Sequence, residues 1–193
     1  MFVIFYKFSD LQNNFMSNIN FIKNIRTKLS KIKNKDINLT TNKILNLKEK
    51  NKIILAGNGA SSSISSHAST DFTKAAGVRA INFNEANLLT CFSNDYGYEN
   101  WILKALEFYS LPGDLLILIS SSGKSKNILK AAKNVRKLKI GLITFSGFSK
   151  NNPLSKLGEI NFHVDSKNYN VIESTHLVMI LQIVENIINK KGK

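Results

Sequence analysis

The sequence has little of what marks secreted and membrane proteins. One cysteine among 193 residues excludes an internal disulfide framework and is typical of a reducing compartment. No uninterrupted apolar run approaches the ~20 residues that span a bilayer. Residues 1–6 are apolar but lack a basic n-region and a small-residue cleavage site, so we predict neither a signal peptide nor a membrane anchor there. We therefore expect a cytoplasmic protein. The cysteine, Cys91, is flanked by Leu88, Leu89 and Phe92 and is predicted to be a small core residue.

Acidic residues are also scarce. The chain has 13 Asp and Glu residues and 27 Lys and Arg residues, which gives a formal net charge of +14. Only three of the basic residues are Arg. Residues 1–52 hold eleven basic and three acidic residues, so over half of the excess lies there. A nucleic acid or a membrane surface would be attracted to such a region. AT-rich coding produces the same composition, however, and we favour solvated lysine faces. A nucleic-acid-binding module stays open on charge alone.

Hydrophobic periodicity divides the chain into alternating strands and helices. Residues 8–30 carry apolar side chains at spacings of three and four, which predicts an amphipathic helix. A polar break at 31–38 precedes a second short helix after Leu39. From there the pattern predicts strands near 52–56, 79–83, 115–120, 139–145 and 160–164, and helices near 61–76, 98–110, 125–138 and 171–190. Strands separated by helix-length segments are typical of parallel β-α-β units.

Continuously apolar strands such as 115–119 indicate a sheet that is covered on both faces. We therefore predict an α/β protein with a three-layer α/β/α sandwich. One domain is expected over residues 1–193, with an N-terminal helical region at 1–50 and the sandwich core at 51–190.

Two short Gly/Ser loops each follow an apolar run. Ile53–Ala56 leads into Gly57–Ser63, and Leu115–Ile119 leads into Ser120–Ser125. Such loops lie at the carboxyl edge of a parallel sheet, where ligands bind. Glycine permits a sharp turn and a close approach to an anion, while serine hydroxyls and the free N–H groups of a following helix donate to its oxygens. Two loops at equivalent strand ends predict a site for a phosphorylated small molecule.

Three segments, in this order, carry a family resemblance: Gly57–Ser61, Asn94–Tyr98 and Ile119–Ser125. Together they resemble the sugar isomerase (SIS) domain over roughly residues 8–190, and most closely its phosphoheptose isomerase branch. Asn-Asp-Tyr-Gly-Tyr is the discriminating segment, since the other two occur across SIS proteins. The resemblance implies a flavodoxin-like sheet of five parallel strands. It also implies a homodimer or homotetramer with a sugar-phosphate site formed partly between subunits.

The resemblance also implies the binding residues. The positions that hold the phosphate match Ser120, Ser121, Ser122 and Ser125. Asn58 and Ser61 match positions on the substrate, and Asp95 is expected to hydrogen-bond sugar hydroxyls. Lys124 is either a supplementary charge or a solvent-exposed side chain.

The catalytic positions match less completely. The family uses a His-x-x-x-Glu helix motif and a C-terminal Gln-(seven residues)-His motif, and these side chains also bind zinc. Here the first pair is His67 and Asp71, which share one helix face because they are four residues apart. The Gln position is Glu173, and the His position is Leu181, which can neither ligate a metal nor transfer a proton. His176 lies about 140° around the helix from Leu181, on the face of Glu173.

Two interpretations of this set stay open. Glu173 serves as a base with His67 or Asp71 as its partner, and these same three residues hold zinc or another divalent metal. Alternatively, Asp71 and Glu173 only line a polar pocket and His176 is structural. No organic cofactor is expected.

The resulting functional prediction is an aldose–ketose isomerase. It would convert sedoheptulose 7-phosphate to heptose 7-phosphate, or act on a related phosphosugar, by enediol proton transfer. Such a reaction belongs to carbohydrate metabolism and supplies lipopolysaccharide or other surface-polysaccharide synthesis. The alternative is a non-catalytic SIS protein that binds a sugar phosphate or a replication initiator and regulates. Leu181 favours this alternative, whereas His67 and the paired acids favour the enzyme.

Overall fold

Strands and helices alternate along the described chain. The computed structural model describes residues 20–192. Its strands are β1 (Ile53–Gly57), β2 (Ala80–Asn82), β3 (Leu115–Ser120), β4 (Gly141–Gly147) and β5 (Ile160–Val164). Its helices are α1 (20–29), α2 (Asn34–Leu45), α3 (Ala60–Lys74), α4 (Ala86–Tyr96), α5 (Trp101–Tyr109), α6 (Lys126–Leu138) and α7 (Tyr169–Lys191), with a 3₁₀ turn at Leu154–Lys156.

The strands form one parallel sheet in the order β2-β1-β3-β4-β5. This is the flavodoxin order, so the expected sheet is confirmed. From β1 the chain adds β2 on one side of the sheet, and it then adds β3, β4 and β5 on the other side of β1. The direction in which strands are added therefore reverses between β1 and β3. Register pairs Gly57 with Ile119 there. Both Gly/Ser loops therefore emerge side by side at the position where open α/β sheets bind ligands.

A hydrophobic core lies on each face of the sheet. On one face α2, α3 and α7 bury Phe72, Phe145 and Ile180 among others. On the other face α5 buries Trp101 and Leu106 in a second core, to which α6 and apolar side chains of β1 and β3 also contribute. All six residues of β3 are buried, because helices cover both of its faces. The predicted three-layer sandwich is confirmed.

Helix α7 is long and apolar enough to cross a membrane by length and composition, with a mean hydropathy of 1.4 over 18 residues. Half of that window is buried inside the fold, where α7 packs against α2 and α3. Polar residues such as Glu173 and Glu185 interrupt the apolar sequence. This is the pattern of a core helix.

The predicted polar break at 31–38 is wrong in its second half, because α2 begins at Asn34. Ile37, Thr40, Thr41 and Ile44 are buried at helical spacing, so one face of this polar segment packs on the core. Two of these four residues are threonines, which is why the apolar signal in the sequence is weak.

Helix α4 is absent from the sequence prediction, and Cys91 on this helix is exposed rather than buried. None of the residues of α4 is fully buried in the single chain. Its apolar side chains, such as Leu88 and Phe92, are only half covered by the core beneath. The interpretation of Cys91 as a core residue is therefore wrong. Apolar neighbours in the sequence do not imply burial where a helix lies flat on the surface.

A buried ion pair joins the amino ends of β1 and β3. The fully buried carboxylate of Asp114 accepts hydrogen bonds from Lys52 Nζ at 2.8 Å, from the N–H groups of Lys52 and Leu111, and from the amide of Asn51. Burial raises the pKa of this carboxyl, but the four hydrogen bonds outweigh burial and hold the pKa below its ordinary value. The ionised form is therefore the native one.

Replacing Asp114 with asparagine is expected to lower the free energy of unfolding by about 3 kcal/mol at pH 7, because Lys52 keeps its charge without a partner. Since the native pKa of Asp114 is lowered, the contribution is present above the ordinary carboxyl pKa and is lost as pH falls through the native value. The free energies of unfolding of wild type and D114N, measured by urea titration, should therefore become more similar as the pH is lowered. An equal difference at pH 7 and pH 3 would contradict this assignment.

Candidate functional site

A cavity of about 250 Å³ opens at the carboxyl edge of β1 and β3. All six loop residues predicted to bind the ligand line it, and Glu173 of α7 lines it as well: Asn58, Ser61, Ser120, Ser121, Ser122 and Ser125. The structure therefore brings together two loops that lie sixty residues apart in the sequence.

The β1 loop owes its shape to glycine. A Cβ on Gly57 would lie 2.6 Å from the backbone of Ser61, so only glycine lets the strand end this close to the first turn of α3. Gly59 has φ +55° and immediately precedes α3, a conformation that favours glycine. This tight turn places Asn58 and Ser61 at the cavity wall.

The β3 loop presents hydroxyls in front of a helix. Ser120 and Ser121 are nearly buried, and the Ser120 hydroxyl lies 3.4 Å from that of Ser125. Ser125 precedes α6 but makes no capping bond with its side chain. The first N–H groups of a helix have no intrahelical acceptor, and together with the helix dipole they attract an anion. The loop and the start of α6 therefore form a site that suits a phosphate group.

Glu173 brings a carboxylate into the same cavity. The Ser121 hydroxyl donates a hydrogen bond to Glu173 Oε1 at 3.3 Å. Tyr169, one helical turn earlier on α7, also lines the cavity and packs its ring edge-on against Phe148. The sequence prediction missed Tyr169, although its position four residues before Glu173 places both on one helix face. A proton acceptor and an aromatic wall therefore face the hydroxyl loop.

His67 and Asp71 form a separate pair on α3. His67 Nε2 lies 3.0 Å from Asp71 Oδ2, and both side chains are open to solvent. Neither lines the cavity, and no hydrogen bond or ion pair within residues 20–192 joins either to Glu173. In the same part of the chain no three His, Cys, Asp or Glu side chains cluster in a way that could hold a metal ion. The predicted metal set of His67, Asp71 and Glu173 is therefore not assembled within one chain.

Two other predicted residues, Asp95 and Lys124, are not among those that line the cavity. Asp95 is exposed near the end of α4, where its carboxylate contacts Asn94 and the Cys91 thiol. Lys124 is exposed, and its backbone N–H turns back to the Ser122 hydroxyl. Neither side chain is therefore part of the cavity wall in this structure.

His176 is a structural residue. It is fully buried against Phe145, and its Nε2–H donates to the carbonyl oxygen of Ser146 at 3.0 Å. Burial lowers its pKa to about 4, so the ring is neutral near pH 7. It does not reach the cavity and does not replace the histidine that Leu181 lacks.

Comparisons with known proteins agree with this fold. The family model described as SIS domain matches residues 19–147. Phosphoheptose isomerase from Helicobacter pylori HPAG1 is 35% identical over 142 residues, which cover 69% of this chain and 72% of the relative. The solved phosphoheptose isomerase GmhA from Neisseria gonorrhoeae superposes with a TM-score of 0.82 over 92% of this chain and 98% of that one, at 23% identity.

The Vibrio vulnificus NanR protein, solved in complex with ManNAc-6P, has a TM-score of 0.66 at 17% identity over 91% of this chain and 61% of that one. At these identities the structural matches bear on the fold. The family match covers well over half of the chain, and the chain belongs to the SIS domain family.

Proposed function

We propose that this protein is an aldose–ketose isomerase of a sugar phosphate, with sedoheptulose 7-phosphate as its first candidate substrate. The observation that carries the proposal is the cavity in which five serine side chains, one of them at the residue that precedes α6, converge with the carboxylate of Glu173. An anion site and a proton acceptor side by side are what a phosphorylated carbonyl substrate needs. The phosphoheptose isomerase relative and the neighbour solved with ManNAc-6P support a phosphosugar as the ligand.

We assign each group its proposed role from its position in or near the cavity. The Ser120–Ser125 loop holds the phosphate and fixes the sugar chain relative to α7. Glu173 removes the proton from the carbon next to the carbonyl while a second group protonates the carbonyl oxygen, which gives the enediol. Glu173 then returns its proton to the former carbonyl carbon, and the second group takes the proton of the other enediol hydroxyl, which becomes the new carbonyl. The pair His67–Asp71 is the proposed second proton-transfer group. It lies outside the cavity, so ligand-driven movement or another subunit would have to bring it to the sugar.

The chain does not offer the donor set of the zinc site that the family resemblance implies. Leu181 has no ligand atom, and Glu173 is joined to Ser121 rather than to the His67–Asp71 pair. The proposed mechanism therefore includes no metal step.

A regulatory phosphosugar-binding protein is the second candidate. Leu181 favours it, because a helix position that carries a histidine in the resembled branch here carries a hydrocarbon. The two candidates share the phosphate site and differ only in turnover. Calorimetric binding of sedoheptulose 7-phosphate, with sedoheptulose as control, tests the shared part. Binding of both sugars with equal affinity would contradict a phosphate site.

We also propose a cytoplasmic location and a role in the synthesis of surface polysaccharide.

Self-association is a further part of the proposal. The helix predicted over 8–30 is expected to pack against another copy, and Phe8 and Phe15 lie outside the described residues. In its described part, Phe21 is exposed and the Ile22 side chain is 66% exposed. The surface of α4 and α5 adds Phe108, which is 67% exposed and packs edge-on against Phe92. We propose these exposed apolar side chains as the contact surfaces, because contiguous exposed apolar surface marks interfaces.

Light scattering at micromolar concentration should therefore give a mass at least twice the 21.6 kDa of one chain. Phe108→Lys is expected to reduce that mass, while Lys104→Gln on the same helix serves as the control. A monomeric wild type would contradict self-association and would exclude a site shared between subunits.

A further inference from the structure

The cavity residue Asn58 is held by a network that lies outside the cavity. Its side-chain amide exchanges two hydrogen bonds with Asn127, in the first turn of α6, at 2.9 and 3.0 Å. The hydroxyl of Tyr98, between α4 and α5, reaches Asn58 Oδ1 at 3.2 Å. Three separate segments therefore meet at one amide group.

The backbone fixes which way these amides face. The N–H of Ile128 lies 2.9 Å from Asn127 Oδ1, and a backbone N–H can only donate, so this atom is the oxygen of Asn127. Asn127 Nδ2 then faces Asn58 and donates to its oxygen, and Asn58 Nδ2 donates back. Because Asn58 Oδ1 only accepts, the Tyr98 hydroxyl must be the donor in its contact.

The network leaves Asn58 with a single free hydrogen-bonding group. Both lone pairs of its oxygen are occupied, by Asn127 and Tyr98, and one of its two amide hydrogens is occupied by Asn127. The second amide hydrogen has no acceptor among the described residues. Asn58 can therefore offer a ligand only a donor, which suits the oxygens of a phosphate or a sugar. Asn127 is 2% exposed and does not itself line the cavity.

We propose that Asn127 and Tyr98 are positioning residues that hold the Asn58 amide as a dedicated hydrogen-bond donor to the phosphorylated ligand. The inference rests on the proposed phosphosugar site. It also gives a physical role to the last residue of the Asn94–Tyr98 segment, which links that segment to the cavity through Asn58.

Two variants test the inference by calorimetry with sedoheptulose 7-phosphate. Asn127→Asp keeps the size of the side chain and the acceptor for Ile128, but it cannot donate to Asn58 Oδ1, so the Asn58 amide turns toward the new carboxylate. Affinity should fall about tenfold, the value of one donor to a charged oxygen. Tyr98→Phe adds no charge, removes one donor and should cost about threefold.

The control is Asn134→Asp on the same helix, whose amide donates to the Lys130 carbonyl. It should bind within twofold of wild type. The loss in N127D should persist in 0.5 M NaCl, where the field of a new charge is screened. Where turnover is measurable, KM should rise more than kcat falls, and the thermal midpoints of both variants should stay close to wild type.

Wild-type affinity in both variants would overturn the inference and leave the isomerase proposal standing. Weakened binding together with no wild-type turnover would keep the inference and remove the isomerase. A wild type that binds no sugar phosphate would overturn both.

Discussion

Replacing Glu173 with glutamine is expected to reduce kcat for a ketose phosphate by about 10²–10⁴-fold, the usual contribution of a positioned general base. Glutamine keeps the length of the side chain, and its carbonyl oxygen can still accept the hydrogen bond that Ser121 donates to Glu173. What it loses is the ability to accept a proton from carbon. The phosphate is held by other groups, so Kd for sedoheptulose 7-phosphate should change by less than about threefold.

The chain supplies a matched control for this change. Glu185 lies on the same helix, α7, more than three helical turns after Glu173; it is exposed and does not line the cavity. Glu185→Gln removes the same charge and should leave kcat within twofold of wild type. If E173Q and E185Q retain equal activity, Glu173 is not the base and the proposed chemistry is wrong.

Replacing Ser120 and Ser122 together with alanine is expected to weaken binding of a sugar phosphate by a hundredfold or more. Each hydroxyl is proposed to donate to a charged phosphate oxygen, and the loss of such a donor costs about 1.5–3 kcal/mol. Two losses therefore correspond to at least two powers of ten in Kd. Inorganic phosphate should lose affinity in the same ratio, because the deleted contacts are to the phosphate alone.

A second double variant, at two serines outside the cavity, controls for any effect of replacing two serines with alanine that does not involve the phosphate. Ser30 and Ser110 each donate to a local backbone carbonyl, that of Thr27 and that of Leu106. Ser30→Ala/Ser110→Ala should bind with wild-type affinity. Unchanged phosphosugar affinity in Ser120→Ala/Ser122→Ala would place the phosphate elsewhere.

Much of the fold could be predicted from the sequence because its signals are local. The continuously apolar β3 and the Gly/Ser loops that follow β1 and β3 are each recognisable within a few residues. The flavodoxin-like sheet is implied by the resemblance to the SIS family and not by these local signals. The predictions that failed concern helices at the surface. Helix α4 is missed, and it carries apolar residues that the single chain leaves half covered. The start of α2 is placed too late, because α2 buries two threonines that count as polar in the sequence.

The residues of the candidate site also fall into those that the sequence could place and those that it could not. Hydroxyls that follow a strand can be placed from sequence, because the strand end fixes where they lie. The role of a side chain on a helix depends on which neighbour it meets. The family resemblance groups His67 and Asp71 with Glu173, whereas in this structure His67 and Asp71 pair with each other. The Asn58–Asn127–Tyr98 network joins three distant segments, and spacing in the sequence gives no sign of it.

Turnover by the purified wild-type protein tests the central claim most directly. The protein is incubated with a panel of ketose and aldose phosphates, with and without added divalent metal, and the interconversion is followed by NMR with E173Q as the blank. The account predicts conversion of at least one ketose phosphate to its aldose partner, with exchange of the proton next to the carbonyl for deuterium in D₂O. Binding of a sugar phosphate without conversion or proton exchange for any member of the panel would contradict the isomerase and leave the regulatory phosphosugar-binding protein in its place.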